Sequence, residues 1–196
     1  MTAPERDLLD SEQPRIAPLR EEEWTDEARE LLVLAAGGDE PSPLNAFRTV
    51  ARHPGLLRRF APLLRELVEN GALEPRIREL AILRTAWVCR TGYEWGHHVR
   101  MGKEAGLTPA EIEAVVAGAD DPTWNAVESA VIRLVDELHH TVNVTDSTWS
   151  ALSKGFDDAQ LIELLLLVGA YTSFAYVLNA LHVPLDQNNA AGLSAR

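Results

Sequence analysis

The sequence predicts an all-α protein, and three observations carry that expectation. Apolar residues recur at i, i+3 and i+4 along most of its length. Capping signals and Gly or Pro breaks punctuate these stretches at helix-like intervals. Almost nothing alternates with period two, apart from fragments such as residues 141–145. About eight helices are expected, packed as hairpins in one domain spanning 21–196, with residues 1–20 as a mobile arm or a strap on a neighbouring subunit.

In order, the first helix is expected over 21–36, where Trp24, Ala28, Leu31, Leu32 and Ala35 share a face and Gly37-Gly38 ends the run. A short helix follows at 44–51, and His53-Pro54 breaks it because a residue before proline avoids the α region. Another amphipathic stretch covers 56–69. The segment 74–90 places Ile77, Leu80, Ala81, Leu83, Trp87 and Val88 at helical spacing. Thr91 and Glu94 then have the capping-box pattern, starting a helix that runs to about Ala105. Thr108 and Glu111 repeat that pattern with proline at the first helical position. Helices at 125–140 and 146–154 follow, and Asp157 to Gln160 caps a last long helix reaching Leu181. Residues 75–99 and 159–183 share a faint likeness, with Glu-Leu early and His-Val nineteen residues later, which would suit two quasi-equivalent hairpins about a local twofold axis.

The chain has 196 residues and a net charge of −12, which argues against a nucleic-acid partner, since phosphate binding needs a clustered positive face. Its one cysteine, Cys89, excludes an intramolecular disulfide and any all-cysteine metal site. The acidic first residues lack the basic and apolar regions of a signal peptide. The longest apolar run, 164–171, is far short of the roughly 20 residues that span a bilayer, so it is expected to be a core helix. A cytoplasmic protein with no membrane partner is the expectation.

Chemistry concentrates in one segment. Glu94 and His98 are four residues apart and share a helical face, and Glu79 lies on the preceding helix, which must fold back across a break at Thr91-Gly92. Two carboxylates and an imidazole can converge there, the usual composition of a tuned acid/base pair. Tyr93 and Trp95 flank Glu94 and are expected to wall a pocket. Each residue also has a plainer reading: Glu94 as half of a capping box, Glu79 as an ion-pair partner of Arg84 or Arg100, His98 as a satisfied core histidine, Cys89 as a small apolar residue.

From Glu79 to Leu107 the residues Arg78-Glu79-Leu80, Tyr93-Glu94-Trp95, His97-His98 and Ala105-Gly106-Leu107, with the following Glu111-Ile112, resemble the carboxymuconolactone decarboxylase family, which includes the alkylhydroperoxidase D proteins. The resemblance extends from Asn45-Ala46-Phe47-Arg48 to Pro184-Leu185. It implies an alkylhydroperoxidase D-like bundle of helical hairpins and a homo-oligomer, a trimer or hexamer. In the peroxidase branch the pattern is a glutamate followed by Cys-x-x-Cys-x-x-x-His. Here His98 and Glu79 match the relay histidine and glutamate, while the two cysteine positions fall on Thr91 and Glu94. Dithiol chemistry needs two sulfurs, so it is disfavoured. The decarboxylase branch instead implies cofactor-free decarboxylation, isomerisation or lactone-type chemistry on a small organic acid or ring compound. There His98 and Glu94 move protons, Glu79 orients, and Arg48, Arg84 or Arg100 grips a substrate carboxylate.

Two further readings stay open. Glu94 to His97 and Glu137 to His140 are both Glu-x-x-His, and with Glu79 and Glu163 they would have the composition of a helical di-metal site. The chain could also be a non-catalytic oligomeric binding module on an enzyme scaffold.

Overall fold

Residues 75–88 carry apolar side chains round nearly the whole circumference, so a helix formed there must be packed on all sides. In the computed structural model, which describes residues 13–186, this segment is the central helix. The nine α-helices among the described residues are α1 (Asp26–Ala36), α2 (Asn45–Val50), α3 (Pro54–Arg65), α4 (Pro75–Val88), α5 (Gly92–Glu104), α6 (Pro109–Ala117), α7 (Ala126–Thr141), α8 (Asp146–Leu152) and α9 (Asp158–Leu181). The described residues include no strand, and the all-α expectation is borne out.

Helix α4 packs against α5, α7 and α9, and it supplies residues to two core clusters. Ala81 and Ile82 join Leu134, Leu164, Leu167 and Phe174 on one side, while Leu80, Leu83 and Ala86 join Trp95, Val115 and Ile132 on the other. A third cluster binds α1 to α2 and α3 through Leu31, Leu32, Ala51, Leu57 and Ala61. Beyond α3 the chain makes one wider π turn, Glu66–Asn70, before α4 begins.

Local signals explain most of the boundaries. Thr25, Thr108, Asn125, Thr145 and Asp157 each accept a backbone N–H from the first turn of the helix they open. Capping boxes form at Thr108–Glu111, Asn125–Glu128 and Asp157–Gln160. Residues 21–36 are not one helix: Glu21–Glu23 is a single 3-10 turn, and α1 starts only after Thr25. Residues 159–183 are not a hairpin either. The position that matches the α4–α5 corner residue Arg90 is Phe174, a buried core residue, so α9 runs straight through.

Of the expected arm, 13–20 lies along its own chain, and 1–12 lie outside the described residues. Arg15 donates to the Leu181 and Ala180 carbonyls (2.9 and 3.1 Å), and Leu19 is buried against α1 and α2. By length and composition α9 could cross a membrane, but half of it is buried, with Leu161, Leu164, Leu167, Tyr171 and Phe174 in the core.

Candidate active site

The corner between α4 and α5 sets the site. Cys89 caps α4, Arg90 adopts the left-handed conformation (φ 55°), and the Thr91 amide donates to the Ala86 carbonyl at 2.9 Å. Together with the Arg90 amide on the Trp87 carbonyl (3.0 Å), this is a Schellman ending with arginine where glycine is usual. The chain reverses, and α5 folds back along α4. Gly102 permits a close approach there: a Cβ added to it would sit 3.0 Å from Leu107, 3.2 Å from Leu83 and 3.9 Å from the Glu79 Cβ.

That reversal joins the residues singled out from sequence. His98 Nδ1 meets Glu79 Oε2 at 2.7 Å, and the other carboxylate oxygen of Glu79 accepts from Arg78 Nε at 3.0 Å. Arg78 is held in turn by the Val68 carbonyl at 2.7 Å. Glu79 is fully buried. Burial pushes its carboxyl up, but the His98 bond and charge and the Arg78 contact outweigh that and hold it below the usual value. An ionised Glu79 fixes the His98 ring with the proton on Nδ1. Tyr171 of α9 stacks edge-on against the same ring at 5.1 Å.

Glu94 is different. It is 3% exposed, and neither carboxylate oxygen has a hydrogen-bond partner among the described residues. Burial alone pushes its carboxyl well above the ordinary carboxylate range, so it is a neutral acid. The Thr91–Glu94 capping box does not form, because the Thr91 amide that Glu94 would accept is already spent on Ala86.

Glu94 and His98 open onto a cavity of about 1170 Å³ between α2, α3, α5 and α9. Tyr93, Tyr171, Phe47 and Phe174 provide its aromatic walls, and Leu185 and Asp186 close one side. Asp186 accepts from the Asn45 amide (2.9 Å), from the Tyr93 hydroxyl, and from His97 Nε2 (3.0 Å). The Tyr171 phenol is pushed well up by burial and then by the charge of Glu79, so it stays protonated.

Sequence reasoning missed Tyr171 and Asp186. Tyr171 sits in the longest apolar run and looks like any core aromatic, and Asp186 follows the last helix with no motif around it. Other expectations need correcting. Trp95 is not a pocket wall; it packs on Trp87 (5.6 Å) in the cluster on the far side of α5. Arg84 cannot grip a substrate, because it is paired with Asp136 through two bonds (2.7 and 3.0 Å) and holds the Val115 and Val116 carbonyls at the end of α6. Arg48 and Arg100 do line the cavity. Arg100 is exposed and bonded to Glu104, whereas Arg48 is half-buried with its Nε anchored on the Leu19 carbonyl (2.7 Å).

The metal-ligand alternative does not assemble. Glu163 accepts the Ala72 and Leu73 amides, Glu137 accepts from Thr145 and Thr148, His97 binds Asp186, and His140 is exposed beside His139. Among the described residues no three such side chains converge. Cys89 does not line the cavity, and burial pushes its thiol up despite a hydrogen bond to Thr172.

Comparison with known proteins agrees with this architecture. An alkylhydroperoxidase AhpD core protein from Ralstonia eutropha JMP134, an uncharacterised peroxidase-related protein, superposes with a TM-score of 0.73 at 16% identity, covering 94% of this chain and 100% of that one. The debrominase Bmp8, as a cysteine-to-alanine variant in complex with 2,3,4-tribromopyrrole, gives 0.72 at 12% identity, covering 94% and 98%. A protein of unknown function and AhpD type from Agrobacterium tumefaciens gives 0.65 at 17% identity, covering 70% and 94%. None of the curated proteins compared matches the chain. The model of the carboxymuconolactone decarboxylase family matches residues 54–137, a span holding Glu79, Glu94 and His98, and over that span, within this AhpD-like fold, the chain resembles the carboxymuconolactone decarboxylase family.

Proposed function

We propose that the cavity performs cofactor-free acid/base chemistry, a decarboxylation, isomerisation or lactone-type reaction, on a small organic acid or ring compound. The observation that carries this reading is the contrast between two groups on one helix face. Glu94 is a buried acid with no partner, and His98 is an imidazole oriented by an ionised carboxylate. Environments that separate two titratable groups in this way assign an acid and a base.

In a decarboxylation the carbon–carbon bond to the carboxylate breaks, carbon dioxide leaves, and the electron pair moves into a conjugated carbonyl. The neutral Glu94 carboxyl can donate a hydrogen bond to the oxygen that gains charge. His98 first takes up a proton from water on Nε2, Glu79 stabilising the charged ring, and the carbon then takes that proton, which leaves the neutral ring with its proton on Nδ1. Glu79 is a positioning residue, since it touches His98 and not the cavity. Arg48, anchored through Nε and without a partner for its two other nitrogens among the described residues, is placed to hold a substrate carboxylate bidentately.

Peroxidase-related proteins share the fold, but with Thr91 and Glu94 at the positions of the two cysteines a dithiol cycle has no sulfurs to run on. The aromatic walls suit a flat ring, and the related debrominase binds a brominated pyrrole. We further propose a cytoplasmic homo-oligomer, a trimer or hexamer, which the exposed apolar side chains of α9 support.

The test is turnover of a panel of lactone acids and unsaturated carboxylic acids in deuterated water. Product loss of carbon dioxide or uptake of deuterium is read by NMR. Replacing either His98 or Glu94 with Gln is expected to lower the rate by about 10²–10⁴-fold. Turnover indifferent to both changes would sink the reading.

A further inference from the structure

Three hydrogen-bond donors on one wall of the cavity converge on a single carboxylate, and that carboxylate belongs to the chain itself. Asp186 takes the Asn45 backbone N–H on one oxygen (2.9 Å), and the Tyr93 hydroxyl and His97 Nε2 (3.0 Å) on the other. With an ionised acceptor, His97 must carry its proton on Nε2. The Tyr93 and His97 rings stand 5.1 Å apart, one turn from each other on α5, so both donors are fixed by helix geometry. Burial pushes the Asp186 carboxyl up, but the bonds from His97, Tyr93 and Asn45 outweigh it and hold the group ionised.

The segment that delivers Asp186 is short and irregular, with Val183 buried in the core and Leu185 packed against it. Residues 183–186 form no helix. Among the described residues, their hydrogen bonds besides those of Asp186 run from the Val183 amide to Leu178 (3.0 Å) and from Asn45 Nδ2 to the Pro184 and Leu185 carbonyls (3.2 and 3.5 Å). Three residues along α2 from Asn45, Arg48 lines the same cavity, and Lys103 adds a second cation with no ion-pair partner among the described residues. The wall thus offers a carboxylate three oriented donors and nearby positive charge, in a space large enough for a small molecule.

We propose that the Tyr93 hydroxyl, His97 Nε2 and the Asn45 amide form a carboxylate subsite, filled by the chain's own Asp186 until a small organic carboxylate replaces it. Asp186 is an internal competitor, and its departure clears the donors on that side of the cavity. The proposal borrows only the cavity from the proton-transfer reading, so its test is equilibrium binding and needs no turnover.

The probe is benzoate, with benzamide as its uncharged counterpart. Asp186→Ala is expected to bind benzoate at least about tenfold more tightly than the native protein. Saturating benzoate is expected to raise the melting temperature of that variant by about 5 °C. Benzamide should do neither. Adding His97→Gln to Asp186→Ala should cost about tenfold in benzoate affinity. Equal benzoate affinity in the native protein and Asp186→Ala, or no effect of His97→Gln, overturns the proposal. If Asp186→Ala does not fold, Asp186→Asn takes its place: tighter benzoate binding than native supports the subsite, and unchanged binding refutes it. Loss of turnover in His98→Gln with benzoate binding intact would separate the two readings.

Discussion

Thr91 gives its amide proton to the carbonyl of Ala86 (2.9 Å), and that one bond keeps Glu94 from capping its own helix. The bond belongs to the ending of α4, which requires Arg90 to sit at φ 55°. A side chain with a Cβ is strained there, by about 1–2 kcal/mol. Arg90 is exposed and makes no side-chain hydrogen bond or ion pair among the described residues that glycine would lose. Arg90→Gly should therefore stabilise the fold by roughly 1 kcal/mol, measured by denaturant unfolding, with the site geometry unchanged. Destabilisation by Arg90→Gly would mean the corner depends on the arginine itself.

Glu94 should make the protein less stable as pH rises. In the unfolded chain its carboxyl ionises near the ordinary 4.5, and in the folded protein it ionises well above that. Between those values the folded state holds one more proton than the unfolded state, so stability falls by up to about 1.4 kcal/mol per pH unit. Glu94→Gln removes that slope. The variant should be more stable than native at pH 7, with the difference closing toward pH 4.5, even as its chemistry is lost. A native carboxyl resonance for Glu94 that titrates near 4.5 would contradict this.

Much of the fold was legible in the sequence because it rests on local rules. Thr108, Asp157 and the Gly37 stop act within one turn of themselves, and the structure uses them as read. The site was half legible. The i, i+4 spacing of Glu94 and His98 fixes a shared face, but their environments come from elsewhere. The pairing of Arg78 with Glu79, the edge contact of Tyr171 with His98 and the reach of Asp186 to His97 join residues far apart in the chain or of no distinctive pattern. Trp95 misled because each step along a helix turns a side chain by about 100°, so Trp95 lies roughly 200° round from the cavity-lining Tyr93, on the other face. The Thr91–Glu94 pattern misled because the amide it needs is spent by the preceding helix.

Acid should weaken the junction of α4, α6 and α7. Arg76 bonds to Glu128 (2.8 Å), to the Gly106 carbonyl (3.3 Å) and to Glu111. The Arg76 bond, then the Thr108 amide, hold the Glu111 carboxyl down to about 2. Since its folded value lies below the unfolded one, Glu111 contributes stability above about 4.5 that is lost as pH falls toward 2. Glu111→Gln should flatten this acid limb in pH-dependent melting curves. Arg76→Ala, which leaves two carboxylates facing each other, should cost roughly 2–3 kcal/mol at neutral pH. An acid limb identical in Glu111→Gln and the native protein would refute the assignment.

The outward face of α9 should be an intersubunit seam. Ile162, Leu166, Gly169, Ser173 and Tyr176 recur at spacings of three and four, which lays them in one row along the helix. Ile162, Leu166 and Tyr176 are 59%, 55% and 65% exposed, more than large apolar side chains usually are on one face. Gly169 in the middle of the row has open space where a Cβ would be, so a second backbone can approach there. Leu166 contributes no contact to the core clusters, and its replacement should leave the subunit folded. Leu166→Glu is then expected to shift the mass measured by light scattering from the oligomer toward the monomer, while the helical circular dichroism is kept. A native protein that is already monomeric at micromolar concentration, or an oligomer unmoved by Leu166→Glu, would place the seam elsewhere.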